Sequence, residues 1–300
     1  MKRIDFIKTT TGGLVGLSPL FSKSIIQALE DGPVPDVVWV ENSEPAELIN
    51  HAAEAFGGMG HFISKGDVVV VKPNIGWDRT PETAANTNPD LVAEIVRLCL
   101  DAGAKRVKVF DHTINSPLRC YRNSQIETKA ENAGAKVLQV RDHRFKSVTL
   151  RQGTVLKKWP IYRDYLEADK VINVPVAKQH SMCLVTLGLK NLMGVMGGPR
   201  GEIHNGFDAK LVDITSEILP TLTIIDAYRI MTGNGPSGGS LSDVDKRRTL
   251  IMSPCTVTAD YVAASLFNID PGKIGYIREA VRRGLNRYDV PSLNMKKISL

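Results

Sequence analysis

The sequence predicts an α/β fold: a mostly parallel, doubly wound sheet flanked by helices, with one β-hairpin insertion. Three observations carry this reading. From residue 35 onward, short β-branched runs alternate with longer helical periods, the rhythm of strand–helix–strand units. The run Val68 to Val71 is apolar without interruption, as a strand covered on both faces is. Gly103 and Gly134 stop helical periods just before the next run begins.

Taken in order, the chain predicts a strand over 36–40, then a helix over 45–55 for which Ser43 is the capping residue. A central strand follows over 67–71. Asn88-Pro89 offers an N-cap with proline at the first helical position, for a helix that runs to Ala102. A strand over 106–110, a helix over 124–132 and a strand over 136–140 come next. Between Val140 and Ala168 the rhythm breaks. There the runs 147–150 and 155–159 flank Arg151-Gln152-Gly153-Thr154 and predict a hairpin. Beyond it, strands are expected over 170–174, 221–225 and 249–252, and helices over 182–192, 209–219 and 257–267. No Ser/Pro-rich linker divides the chain, so residues 31–300 read as a single α/β domain with an insertion near 141–168.

At 300 residues, 43% hydrophobic and 23% charged, the chain has ample length for a core and is too rich in Val, Ile and Leu for disorder. No run approaches the roughly 18 apolar residues of a membrane-spanning helix, so no transmembrane segment is expected. Cys99, Cys120, Cys183 and Cys255 lie far apart with no CxxC pair, which speaks against zinc and against an iron–sulfur cluster. The net charge of +6 sits at the ends, +2 in residues 1–30 and +5 in residues 271–300, with −1 between them. Only Tyr276 and Tyr288 stand in that basic end, short of the aromatic interleaving of a nucleic-acid surface. Its Arg278, Arg282, Arg283 and Arg287 read as a solvated helix face, and nucleic acid is not an expected partner.

Residues 1–30 read as an export-signal-like leader. Lys2-Arg3-Ile4-Asp5-Phe6-Ile7-Lys8 is a charged start, and the mildly apolar stretch from Thr9 to Phe21 follows it. It resembles a twin-arginine leader, with Arg3, Asp5, Phe6 and Lys8 in place and Ile4 where the second arginine would stand. The expectation is an exported, periplasmic protein. The alternative is an amphipathic N-terminal helix retained on a cytoplasmic one.

Ligands of open parallel sheets bind outside the carboxyl ends of the strands. Each predicted strand here is followed by polar groups: Lys72 and Asn74, then Asp111-His112, then Lys178 and His180, then Asp226. Lys190 and Asn191 border the glycines of 194–201, where Arg200 stands, and His204 comes shortly after. Neither this loop nor the glycine-rich 232–239 loop is a Walker P-loop or a GxGxxG fingerprint. Taken singly, each residue has an ordinary role available: surface lysine, hydrogen-bonded loop histidine, helix cap. The constellation points further, because the fold gathers them on one edge.

The stretches Lys72-Pro73-Asn74, Asn88-Pro89 to Asp111, Ala168 to Pro175 with Lys178 and His180, Thr186 to Gly194, and Asp226-Ala227 with Gly235-Pro236 resemble the family called domain of unknown function 362. The likeness runs over most of residues 35–270. Many members of that family carry ferredoxin-like cysteine clusters. This chain has none, so an electron-transfer role does not carry over.

The residues therefore suggest a cationic cleft at the strand carboxyl ends of an enzyme acting on a small anionic molecule, a carboxylate or a phosphate. His180, His204 and Asp111 are the catalytic candidates, the histidines because imidazole titrates near neutrality. Lys72, Asn74, Lys178, Lys190, Asn191, Arg200 and Asp226 are the candidates for holding the ligand. The alternative is a non-catalytic binding protein for an anionic ligand or a metal cofactor. A metal set drawn from His112, His180, His204, Asp111 and Asp226 has no helical i, i+4 histidine pair behind it, and the sequence names no cofactor and no oligomeric state.

Overall fold

The computed structural model describes residues 33–300, so the leader reading of residues 1–30 lies outside the described residues. In chain order the elements are β1 (Val37–Glu41), α1 (Pro45–Ala55), β2 (Val68–Pro73), α2 (Pro89–Asp101), β3 (Arg106–Val109), α3 (Pro117–Asn123), α4 (Ile126–Asn132) and β4 (Lys136–Val137). The hairpin β5 (Phe145–Thr149) and β6 (Lys158–Tyr162) follows, then α5 (Arg163–Leu166), β7 (Lys170–Val174), β8 (Val176–His180), β9 (Leu184–Thr186), α6 (Gly188–Asn191) and α7 (Phe207–Thr215). The chain closes with β10 (Leu222–Met231), β11 (Val244–Asp245), β12 (Thr249–Ser253), α8 (Thr256–Ala263), α9 (Gly275–Arg282) and β13 (Met295–Ser299).

The main sheet runs β13-β1-β12-β10-β7-β2-β3-β4. Every neighbouring pair along it is parallel except the two that β12 makes, with β1 and β10. Successive residues of a strand face opposite layers, and both layers are apolar. Val69 and Val71 belong to the core cluster that includes Leu48 of α1 and Val92 of α2, whereas Val70 belongs to the other, with Leu211 of α7 and Ala259 of α8. This two-sided burial explains the uninterrupted valines of β2. Asn88 does cap α2, its side chain accepting from the Asp90 and Leu91 amides.

Several expectations are corrected. Ser43 does not cap α1; Glu44 holds the N-cap position and makes no side-chain cap bond, while the Ser43 hydroxyl donates to Glu47. The helix expected over 182–192 is a turn, the short strand β9 and four residues of α6, because Val185 and Thr186 extend β8 as its antiparallel partner and Gly188 interrupts the period. The helix expected over 124–132 is preceded by a separate α3, and the strand expected over 221–225 continues to Met231. Arg283 is not on a solvated face: its side chain is 8% exposed and is ion-paired with the buried Asp213. β13, unanticipated, is an edge strand parallel to β1 whose Lys296 and Lys297 give it a charged, exposed pattern.

The length of β10 positions the site. Its first half pairs with β7, and its second half pairs with β8, which continues the chain beyond β7 after Pro175. Lys178 and His180 thus stand on a second tier above the carboxyl ends of β2, β3 and β7. The hairpin folds back to this side as well, with the Gly197 amide donating to Pro160 O at 2.8 Å.

Candidate functional site

A cavity of about 990 Å³ opens at these carboxyl ends. Lys72, Asn74, Asp111, Lys178, His180, Lys190, Asn191, Arg200 and His204 all line it. Asp226 does not. Its carboxylate lies on the opposite layer, accepting from the Asn88 amide at 2.7 Å and the Tyr228 amide at 3.1 Å, where it supports the start of α2.

Asn191 organises the floor. Its Oδ1 accepts from Lys72 Nζ at 3.0 Å and from Asn74 Nδ2 at 3.1 Å, and its Nδ2 donates to Asn173 Oδ1 at 2.8 Å. Lys72 Nζ also donates to Pro73 O at 2.9 Å and pairs with Asp111 Oδ1 at 2.8 Å. The other Asp111 oxygen accepts from the Ile75 amide at 2.6 Å. Asp111 is therefore held by the Ile75 amide on one oxygen and by the Lys72 charge on the other, and it orients no histidine.

The remaining cations are not neutralised in this way. Lys178 Nζ donates to Ala85 O at 2.7 Å and Asn74 Oδ1 at 3.3 Å. Burial, reinforced by the Lys190 and Lys72 charges against an opposing pull from Asp111, brings its ammonium down to about 7. Lys190 Nζ stands 4.9 Å from the centre of the Phe207 ring and 3.7 Å from Met193 Sδ, and burial lowers its pKa too. Arg200 donates to the carbonyls of His112 and Thr113, which hold it in place while its charge faces the cavity wall.

The turn that carries Lys190 is held by a residue outside the expected site, Asp260, on the helix expected over 257–267. Asp260 of α8 accepts from the Gly188 amide at 2.5 Å and the Leu189 amide at 2.9 Å, anchoring the first turn of α6. A Cβ on residue 188 would collide with that carboxylate, so glycine is required there.

The histidines differ in what they can do. His180 Nδ1 accepts from the Met182 amide at 3.1 Å, so its proton resides on Nε2. Burial, with the Lys190, Lys178 and His204 charges, pushes its pKa down to about 3, which makes it a neutral donor and not a general base. His112, expected at a strand exit and in the metal set but not among the catalytic or ligand-holding candidates, lines the cavity and bonds Met196 O through Nδ1 at 2.8 Å. His204 bonds Gly201 O through Nδ1 at 3.1 Å and stacks on Phe207, leaving Nε2 as an acceptor. Trp77 and Phe145, also missed, supply apolar wall; no local pattern marks Phe145, because only the folded hairpin brings it to the cavity.

Among the described residues, no group of three or more His, Cys, Asp or Glu is placed to hold a metal ion, which removes the five-residue metal set. The four cysteines are free thiols, and no helix among the described residues is long and apolar enough to cross a membrane.

Comparison with known proteins follows the same ground. A family model described as "Domain of unknown function (DUF362)" matches residues 69–265. A thylakoid-associated protein of Synechocystis sp. is 28% identical over 241 residues, covering 78% of this chain and 73% of its own. Among solved structures, the lactate racemase apoprotein from Thermoanaerobacterium thermosaccharolyticum aligns at a TM-score of 0.45 and 14% identity, over 71% of this chain and 53% of that one. This chain thus spans about half the length of that structure.

Proposed function

The chain belongs to the family described as domain of unknown function (DUF362), and from that premise we propose that its cavity binds a small organic anion, a carboxylate or phosphate, and acts on it. The observation that carries the reading is a charge imbalance: Lys178, Lys190 and Arg200 meet at one cavity whose buried carboxylate, Asp111, is already paired with Lys72. Buried cations without counter-ions are unfavourable, and an anionic ligand removes that penalty. Trp77, Phe145 and Met193 form an apolar wall for the rest of the molecule.

A binding-only reading has one specific support: among the described residues no cavity histidine is hydrogen-bonded to a carboxylate, so the acid–base pair of a histidine mechanism is not assembled. Lysine chemistry at Lys178, with His204 Nε2 as a proton acceptor, suits the catalytic reading better. Export of the protein, as the leader suggests, belongs to the same proposal.

Calorimetric titration with phosphate, oxalate and pyruvate against uncharged analogues tests the reading. Selective heat from the anions, weakened roughly 10- to 100-fold by Lys190→Met, is expected from the loss of a charge-assisted contact of about 1.5–3 kcal/mol. Equal response to the neutral analogues would sink it.

A further inference from the structure

We propose that Lys178 is a nucleophilic amine that condenses with the carbonyl carbon of a carbonyl-bearing organic anion, holding it in the cavity as an imine. The inference rests on the anion-binding reading and adds to it the substrate class and the bond that forms.

The lysines of the cavity differ in what their nitrogens face. Lys72 Nζ donates to Pro73 O at 2.9 Å and Asn191 Oδ1 at 3.0 Å and lies 2.8 Å from the Asp111 carboxylate, a counter-charge that favours the ammonium against the burial that lowers its pKa. Lys190 Nζ lies 4.9 Å from the centre of the Phe207 ring, a contact that favours the cation and opposes the burial that lowers its pKa. Lys178 Nζ has two oxygen partners, Ala85 O and Asn74 Oδ1. Two acceptors take up both hydrogens of a neutral amine and leave its lone pair free, in a residue that lines the cavity.

The groups around Lys178 favour that neutral form. Its side chain is 1% exposed. Lys72 of β2 and Lys190 of α6 oppose a further positive charge, His180 of its own strand is neutral, and Asp111 beyond β3 is taken up by Lys72. With its ammonium near 7, a large fraction of Lys178 is the free amine at neutral pH, the usual activation of a reactive lysine. Lys190 and Arg200 remain to hold the substrate's carboxylate or phosphate.

The step balances without an oxidant or reductant. The amine lone pair forms a C–N bond as the carbonyl π pair moves to oxygen, giving a carbinolamine. The oxygen then leaves as water, and the two hydrogens of that water are the two the amine began with.

The test uses the full chain at pH 7 with pyruvate, glyoxylate or pyridoxal phosphate as the carbonyl-bearing anion, cyanoborohydride reduction, and peptide mapping by mass spectrometry. A saturable one-to-one adduct on Lys178, suppressed by excess phosphate or oxalate and absent with acetone, is expected. The adduct's position is read on the unaltered protein, so the result does not depend on a variant folding; Lys178→Arg, checked by circular dichroism, should abolish it. Labelling spread over exposed lysines, labelling of Lys190 in place of Lys178, or no adduct while calorimetry shows that the anions bind would each overturn the imine alone. Absence of anion binding altogether would overturn both the imine and the reading beneath it.

Discussion

Lys72 and Asp111 form an ion pair beneath Gly194, with Nζ 2.8 Å from Oδ1 and side chains 0% and 3% exposed. The pair joins the end of β2 to the exit of β3 and withdraws one cation and the one buried carboxylate from the cavity's open chemistry. It leaves Lys178 and Lys190 without a carboxylate partner in the cavity.

Breaking that pair on one side is expected to be expensive. Lys72→Met and Asp111→Asn should each destabilise by about 3–5 kcal/mol, since each leaves the other charge buried alone, and the double variant by less than their sum. Gly194→Ala should behave like a broken pair, because its methyl would collide with both side chains. Urea unfolding measures all four; strict additivity of the two singles would mean the charges are not coupled.

Two adjacent arginines should separate sharply. Arg283 donates to Asp213 at 2.5 Å and to Glu279 at 2.7 Å from an 8% exposed position, while Arg282 bonds Glu279 from a 65% exposed one. Asp213 in turn accepts from the Thr154, Val155 and Leu156 amides, tying the hairpin tip to α7. Arg283→Met should cost about 3–5 kcal/mol and Arg282→Met within about 0.5 kcal/mol. Similar thermal shifts for the two would contradict the burial of Arg283.

Asp260 gives a pH signature. Burial lifts its carboxyl from 3.8 to about 7, against the pull of the Gly188 and Leu189 amides. The folded chain therefore holds this proton up to a higher pH than the unfolded chain does, so this residue's contribution to stability declines as pH rises from about 4 to about 7. Unfolding measured across that range should show the decline in the unaltered protein and a flatter slope in Asp260→Asn. An unchanged slope would assign the titration elsewhere.

Residues 1–30 fused to a reporter should direct part of it out of the cytoplasm, with efficiency raised by Ile4→Arg. Full cytoplasmic retention of both fusions, read by fractionation, would leave the retained N-terminal segment as the correct alternative.

Nine of the ten residues named for the site from sequence line the cavity, and the reason is periodicity. Lys72 and Asp111 were legible because short apolar runs mark where parallel strands end, and ligands gather at that edge. Asp226 was misplaced by the same reasoning: β10 does not stop at Ile225, so the carboxylate is a mid-strand group facing the α2 layer. His112 was visible as the residue after Asp111 but had no signal separating it from a loop histidine.

By itself, the sequence determined the α/β class, the strand–helix rhythm and the edge on which the polar groups collect, because local hydrophobic period and turn residues encode those. Only the tertiary structure decided which charges cancel. Asp111 pairs with Lys72 and not with a histidine, Arg283 is buried against Asp213, and Lys178 is left with two acceptors for its nitrogen. Ionisation and pairing depend on distances between groups far apart in the chain and on the water excluded around them, and neither is written in local spacing.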